Sequence, residues 1–199
     1  MNSTQYLSLT VGLNGRVYAF KAISIPTQID LVTVNGYDGS EAPVGNLQNI
    51  GGLGMTLDPV TGDLYMTKWQ QRDTIFQVTG LYSGTPAISV FKTVSGASFD
   101  GLAWSCDGKF LFVASPETNQ LYRFDRLKNS ITASVPTGPD GIAVGAVGTP
   151  QAGYVFTNDR DGTVTKIRNL PDGFGPQYII ATGGQDGDFA FADAQGPWL

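Results

Sequence analysis

Residues 100–114 read Asp100-Gly101-Leu102-Ala103-Trp104-Ser105-Cys106-Asp107-Gly108-Lys109-Phe110-Leu111-Phe112-Val113-Ala114. Two short apolar runs flank Cys106-Asp107-Gly108-Lys109. An Asp-Gly pair between apolar runs signals a tight β-hairpin, because glycine takes the positive φ that such a turn needs. The phrase recurs. Leu53-Gly54-Met55-Thr56-Leu57 with Gly62-Asp63-Leu64-Tyr65-Met66 precedes it, and Asp140-Gly141-Ile142-Ala143-Val144 with Gly153-Tyr154-Val155-Phe156 follows it. The earliest copy is Leu7-Ser8-Leu9-Thr10-Val11 with Gly15-Arg16-Val17-Tyr18. The turn glycines Gly15, Gly62, Gly108 and Gly153 are 47, 46 and 45 residues apart.

A period of this length with several short strands in each repeat predicts an all-β protein of the β-propeller class. One repeat is a small antiparallel sheet that cannot bury its faces alone, so neighbouring blades must stack on it. Four four-stranded blades are expected, at about 6–50, 53–95, 100–135 and 140–182. The first has strands at 6–11, 16–23 and 28–34 and a weak outer segment at 44–50. The second has 53–57, 63–68, 74–79 and 88–94. The third has 102–105, 110–114, 120–125 and 130–135, and the fourth 142–144, 153–158, 163–168 and 178–181. Asp186-Gly187-Asp188-Phe189 opens a fifth copy, with its partial blade at 186–199. Three arrangements follow: a piece of a six- or seven-bladed propeller, which the begun fifth copy favours, a ring that closes as four blades, or two copies that complete each other; blade faces left open favour self-association.

Composition narrows the function. The chain has 26 glycines and 11 prolines, 41% hydrophobic and 15% charged residues. That suits many strands joined by turns and argues against disorder. A net charge of −5 with no basic stripe argues against a nucleic-acid partner, and none is expected. Histidine is absent, which excludes His-based nucleophile activation and His-ligated zinc. The lone Cys106 forms no internal disulfide and reads as a tolerated turn residue. No apolar run is long enough to span a membrane, and residues 1–5 lack the pattern of a secretory signal. An extracellular or periplasmic setting is expected for a longer parent chain.

Asp100, Asp140 and Asp186 each stand just before a glycine at the start of an inner strand, and Gly51-Gly52 holds that place in the second blade. Carboxylates of adjacent blades would face one channel mouth, and an oxygen-only ligand set suits Ca²⁺ or another hard divalent cation. The simpler reading is Asp-Gly turn chemistry. For Asp58, Asp63 and Asp107, at the first hairpin of their blades, turn chemistry suffices. Trp69 lies in a polar turn, where it either stacks on a ligand or fills a gap, while Trp104, on an inner strand, reads as core.

Phe99-Asp100-Gly101-Leu102-Ala103-Trp104-Ser105 through Phe124-Asp125, and Pro139-Asp140-Gly141-Ile142-Ala143-Val144, resemble the regucalcin/gluconolactonase family and its NHL-repeat relatives. The resemblance implies a divalent metal in the channel, held by a Glu, by an Asn before a Gly, and by the Asp of a Pro-Asp-Gly turn. The last two places fall on Asp100, where the family has Asn, and on Asp140. The first inner strand carries no acidic residue, and the only glutamates are Glu41 and Glu117.

The function expected from these features is a non-enzymatic binding or scaffold module. It presents loops and a channel mouth to a small molecule, glycan or protein, with Ca²⁺ at the three aspartates. The alternatives are a metal-dependent lactonase-type hydrolase and a structural repeat of a larger surface protein.

Overall fold

The computed structural model describes residues 5–25 and 28–183. They form sixteen strands in four antiparallel sheets of four, each in the order of the chain. The first sheet contains β1 (Gln5–Val11), β2 (Val17–Ser24), β3 (Gln28–Val34) and β4 (Glu41–Pro43). The second contains β5 (Gly52–Leu57), β6 (Leu64–Lys68), β7 (Thr74–Thr79) and β8 (Ala87–Thr93). The third contains β9 (Leu102–Trp104), β10 (Phe110–Ser115), β11 (Gln120–Asp125) and β12 (Ser130–Pro136). The fourth contains β13 (Pro139–Val144), β14 (Tyr154–Asp159), β15 (Val164–Leu170) and β16 (Gly173–Ala181). The chain divides after Leu102 into two compact units with two blades in each.

The turns form for the reasons their residues give. Asp58 Oδ1 accepts the N–H of Val60 at 2.8 Å and of Thr61 at 3.3 Å, and Gly62 turns the chain at φ 77°. Asp107 Oδ1 accepts from Ser105 Oγ at 2.7 Å and from the Lys109 N–H at 3.1 Å. Asp63 Oδ2 accepts from Gln77 Nε2 at 2.9 Å. The Asp58 and Asp107 carboxylates are used within their own turns, as hairpin residues are, whereas the Asp63 carboxylate reaches across to β7. Cys106 is exposed, its thiol 3.5 Å from the Gly145 carbonyl oxygen.

Three strand expectations need correction, the first being that β13 begins at Pro139 and not at residue 142, so Asp140 lies within it. The outer strand of the first blade is Glu41–Pro43, not 44–50. Gly45 and Asn49 both take φ 54°, so an extended run cannot pass through them. The segment still serves the edge of β3: Val44 N–H and Ile50 N–H donate to the carbonyls of Leu31 and Ile29 at 3.1 and 2.9 Å. In the fourth blade β16 begins at Gly173, well before residue 178, because a short turn at 171–172 joins it directly to β15, with Leu170 opposite Gly173. The expected fifth copy, 186–199, lies outside the described residues.

Within the first unit, Tyr18, Phe20, Ile29 and Leu31 of the first blade pack with Met55, Leu64, Met66 and Phe76 of the second. Each is a residue that its strand's alternation turns to one face. Within the second unit, Phe112 and Leu121 pack with Ile142, Val155 and Ile167. Full burial of such a side chain contributes about 1.5–3 kcal/mol, so blade-on-blade burial dominates each unit.

The second unit also buries a charge. Arg123 on β11 is 1% exposed. Its Nε donates to Thr132 Oγ1 at 3.1 Å, and its Nη1 to Asn169 Oδ1 at 2.9 Å and to the carbonyls of Leu170 and Gly173 at 2.5 and 3.0 Å. The guanidinium carbon lies 4.4 Å from the Phe110 ring centre. Burial pulls its pKa below the usual arginine range, while the nearby charges of Asp125 and Asp172 oppose that shift. No helix among the described residues is long and apolar enough to cross a membrane.

Candidate ligand-binding rim

In each blade the inner strand begins beside the end of the second strand, and at this rim the chemistry-bearing side chains gather. In the first unit Gly52, opening β5, pairs with Lys68, closing β6. The Trp69 N–H then donates to the Gly51 carbonyl at 3.0 Å. The turn that follows is tied to the connection leading to Asp100: Val94 N–H donates to Asp73 O at 2.8 Å and Phe99 N–H to Arg72 O at 2.5 Å. That backbone tie sets Arg72 against Asp100, with Nη2 donating to Oδ2 at 2.9 Å and both side chains about one-quarter exposed or less. The Arg72 guanidinium lies 5.6 Å from the Trp69 ring centre.

Asp100 is anchored a second way. Thr67 Oγ1 donates to its carbonyl at 2.7 Å and accepts the Gly54 N–H at 3.0 Å. Trp69 is half-buried and packs on the core of the first unit; its Nε1 is buried and meets no acceptor among the described residues. Its exposed part is therefore not its polar edge. Beside it, burial pushes the Lys68 amine below the usual lysine range, and Nζ sits 4.1 Å from the centre of the Phe76 ring.

In the second unit the corresponding strand ends carry Asp140, Asp159 and Arg160. Arg160 Nη2 donates to Glu117 Oε1 at 3.1 Å, and its Nε lies 3.6 Å from Asp140 Oδ1. The hydrogen bond to Glu117 is the main reason its pKa rises. Asp159 closes β14 and clamps the connection between blades: Oδ2 accepts the Gly138 N–H at 3.1 Å and Oδ1 the Thr137 hydroxyl at 3.2 Å. Burial is the largest influence on Asp159 and raises its carboxyl above the ordinary range; those two hydrogen bonds pull the other way, and the Asp161 charge adds to the rise.

A raised folded-state pKa makes the folded protein bind this proton more tightly than the unfolded chain does. Asp159 therefore adds stability as pH falls through its raised value toward the ordinary one. Asp159→Asn is expected to melt at or above wild type at neutral pH, since an amide keeps one acceptor and Thr137 Oγ1 can accept from its NH₂. The advantage shrinks as pH is lowered, and paired melting curves across pH 7 to 4 check it. A difference that does not change with pH would overturn it.

Asp100 thus stands against Arg72 in the first unit and Asp140 beside Arg160 in the second, while Asp186 lies outside the described residues. Among the described residues no three acidic, histidine or cysteine side chains cluster as a metal site would require. Trp69 is at the rim, in the company of Arg72. The arginines were missed by sequence reasoning, yet both begin an Arg-Asp pair (Arg72-Asp73, Arg160-Asp161) in the turn between second and third strands. That repeated dipeptide was the available signal.

Solved structures share this architecture. The β-propeller domain of Cps50 (Swd1) from Myceliophteria thermophila superposes with a TM-score of 0.61 at 13% identity, over 88% of this chain and 58% of that one. The fold is a β-propeller. An auxiliary nutrient binding protein from Bacteroides ovatus is similar at TM-score 0.66 and 16% identity, over 89% of this chain and 48% of that one. A Bacteroides uniformis protein provisionally assigned as a 6-phosphogluconolactonase gives 0.62 and 13%, over 90% and 56%. The propeller chain spans about half the length of these proteins. No family model and no curated protein matches the sequence.

Proposed function

We propose that this propeller chain is a non-enzymatic glycan-binding module whose first-unit rim holds a saccharide. The observation that carries the reading is a partly buried indole beside an arginine–carboxylate pair at 2.9 Å. A sugar ring offers an apolar C–H face, which stacks on Trp69, and a rim of hydroxyls, which both donate and accept. Arg72 supplies donors and Asp100 acceptors at fixed positions, because Thr67 and the turn backbone hold them before any ligand arrives. Preorganised polar groups next to an apolar platform are what small-ligand sites use for orientation and affinity. The likeness to an auxiliary nutrient binding protein is in keeping with such a role.

Calorimetric titration with a panel of oligosaccharides tests it. Wild type is expected to bind at least one saturably. Trp69→Ala is expected to weaken that binding roughly tenfold or more, which corresponds to about 1.4 kcal/mol, without altering the melting transition by a comparable amount. A chain that binds no member of the panel, or a Trp69→Ala variant that binds as tightly as wild type, would overturn the proposal.

A further inference from the structure

Asparagine followed by glycine occurs twice in the chain, at Asn14-Gly15 and Asn35-Gly36. Both pairs lie exposed in the first blade, the first between β1 and β2 and the second between β3 and β4. Each asparagine accepts from the N–H two residues on: Arg16 N–H donates to Asn14 Oδ1 at 3.1 Å, and Tyr37 N–H to Asn35 Oδ1 at 2.9 Å. The glycines differ. Gly15 takes φ 75°, and its N–H donates to the Gly12 carbonyl at 2.9 Å. Gly36 lies outside the positive-φ region, has nothing within 4 Å of a Cβ, and its N–H donates to no group among the described residues.

An asparagine amide carbon is an electrophile within ring-closing reach of the next residue's nitrogen. The Gly36 nitrogen, giving its proton to hydroxide, bonds to Asn35 Cγ; the Cγ–Nδ2 bond breaks and ammonia leaves, closing a succinimide. Water then opens the ring, at Cγ to give aspartate or at the main-chain carbon to give isoaspartate. The net change is one water in and one ammonia out, with nothing oxidised or reduced. Negative charge gathers on Oδ1 as the new bond forms, and the Tyr37 N–H already points there. Glycine puts no side chain in the way of the closure. At Asn14 the attacking nitrogen must first give up its bond to Gly12, and with it the turn that the bond holds.

We infer that Asn35 is a site of spontaneous covalent modification, converted to aspartate and isoaspartate in the folded protein, and that the Gly15–Gly12 hydrogen bond protects Asn14. The product acts on the outer strand of the first blade. Asn35 N–H donates to the Ser40 carbonyl and Gly39 N–H to the Asn35 carbonyl, both at 2.8 Å, and this turn sets β4 in register with β3. Either product adds a negative charge to the turn, and isoaspartate also adds one carbon to its backbone. β4 is only three residues long and exposed throughout, and its Glu41 accepts from Tyr6 and Lys21. Conversion of Asn35 therefore loosens β4 and the contacts that Glu41 makes from it.

The test ages the folded chain in mildly alkaline buffer and follows both asparagines by tryptic mass spectrometry against an unaged sample. Cleavage after Arg16, Lys21 and Lys68 puts the two in different peptides. The chain unfolded in guanidinium chloride is the reference, where neither nitrogen is held. In the folded chain Asn35 is expected to convert about tenfold faster than Asn14 or more, the ratio that about 1.4 kcal/mol of barrier produces. In denaturant the two rates converge. Gly36→Ala, which the open space around that residue accommodates, slows Asn35 and leaves Asn14 unchanged. Hydrogen exchange of Glu41 and Ala42 is faster in the aged fraction that charge separates from unmodified chain. Equal rates in the folded chain, faster conversion of Asn14, or an Asn35 that stays intact while the unfolded chain converts overturns the assignment. Conversion without faster exchange of Glu41 and Ala42 overturns the loosening of β4 and leaves the modification site standing.

Discussion

Arg123→Met is expected to lower the melting temperature by roughly 6–12 °C, the shift that about 3 kcal/mol produces in a chain of this size. The reasoning starts from what the side chain holds. Its guanidinium gathers Thr132 on the neighbouring strand and Asn169, Leu170 and Gly173 around the β15–β16 turn. Methionine fills a similar volume and keeps contact with Phe110, so the loss is not mainly one of packing. What remains is a set of acceptors at the turn from which the donor has been removed, and an orphaned buried acceptor costs about 1–3 kcal/mol. Some of these carbonyls can recruit water, which keeps the total below the sum. Arg123→Lys separates geometry from charge: one ammonium cannot reach acceptors that a planar fork spans, so it is expected to fall between the two. Cleavage by a protease near residues 170–173 should increase in the methionine variant, because the turn is held from outside itself. If Arg123→Met melts with wild type, the buried guanidinium is an accommodated charge and not a fastening.

The repeat was legible because a propeller writes its period into the hairpins. A turn glycine between apolar runs recurs with each blade, at Gly15, Gly62, Gly108 and Gly153, and strands β7 and β11 have the bounds expected from the repeat. The edges were less legible. In 44–50 the apolar residues Val44, Leu47 and Ile50 suggest a strand, and Val44 and Leu47 are buried, but two positive-φ positions convert the segment into turns that serve β3. Composition cannot separate a buried strand from a buried loop.

The rim was half-legible. Trp69 stood out as an aromatic residue in a polar turn, and the Asp-Gly openings stood out as repeated carboxylates. The arginine that answers Asp100 sits 28 residues earlier in the chain, and only the fold brings the two together.

The rim also depends on a glycine that the repeat phrase contains without explaining. A methyl group at Gly54 would stand 2.4 Å from the Asp100 carbonyl oxygen, 3.1 Å from its carbon and 3.2 Å from the Gly101 Cα. All three are backbone atoms, so no rotamer change relieves the contact. Gly54→Ala is therefore expected to destabilise the protein by about 3 kcal/mol, the upper part of the range for forcing extra volume into a packed interior. It should also weaken saccharide binding. The strand opening must move, and with it go the bond from Thr67 to the Asp100 carbonyl and the alignment of the carboxylate with Arg72. Gly36→Ala is the control, since nothing lies within 4 Å of a Cβ there. Thr67→Val, which removes the hydroxyl but keeps the shape, leaves the Gly54 N–H and the Asp100 carbonyl without that partner and should cost about 1–3 kcal/mol. Were Gly54→Ala to melt and bind like Gly36→Ala, the Asp100 backbone would have to be free to retreat. The preorganisation on which the proposed recognition rests would then be lost as an explanation, even with Trp69, Arg72 and Asp100 all in place.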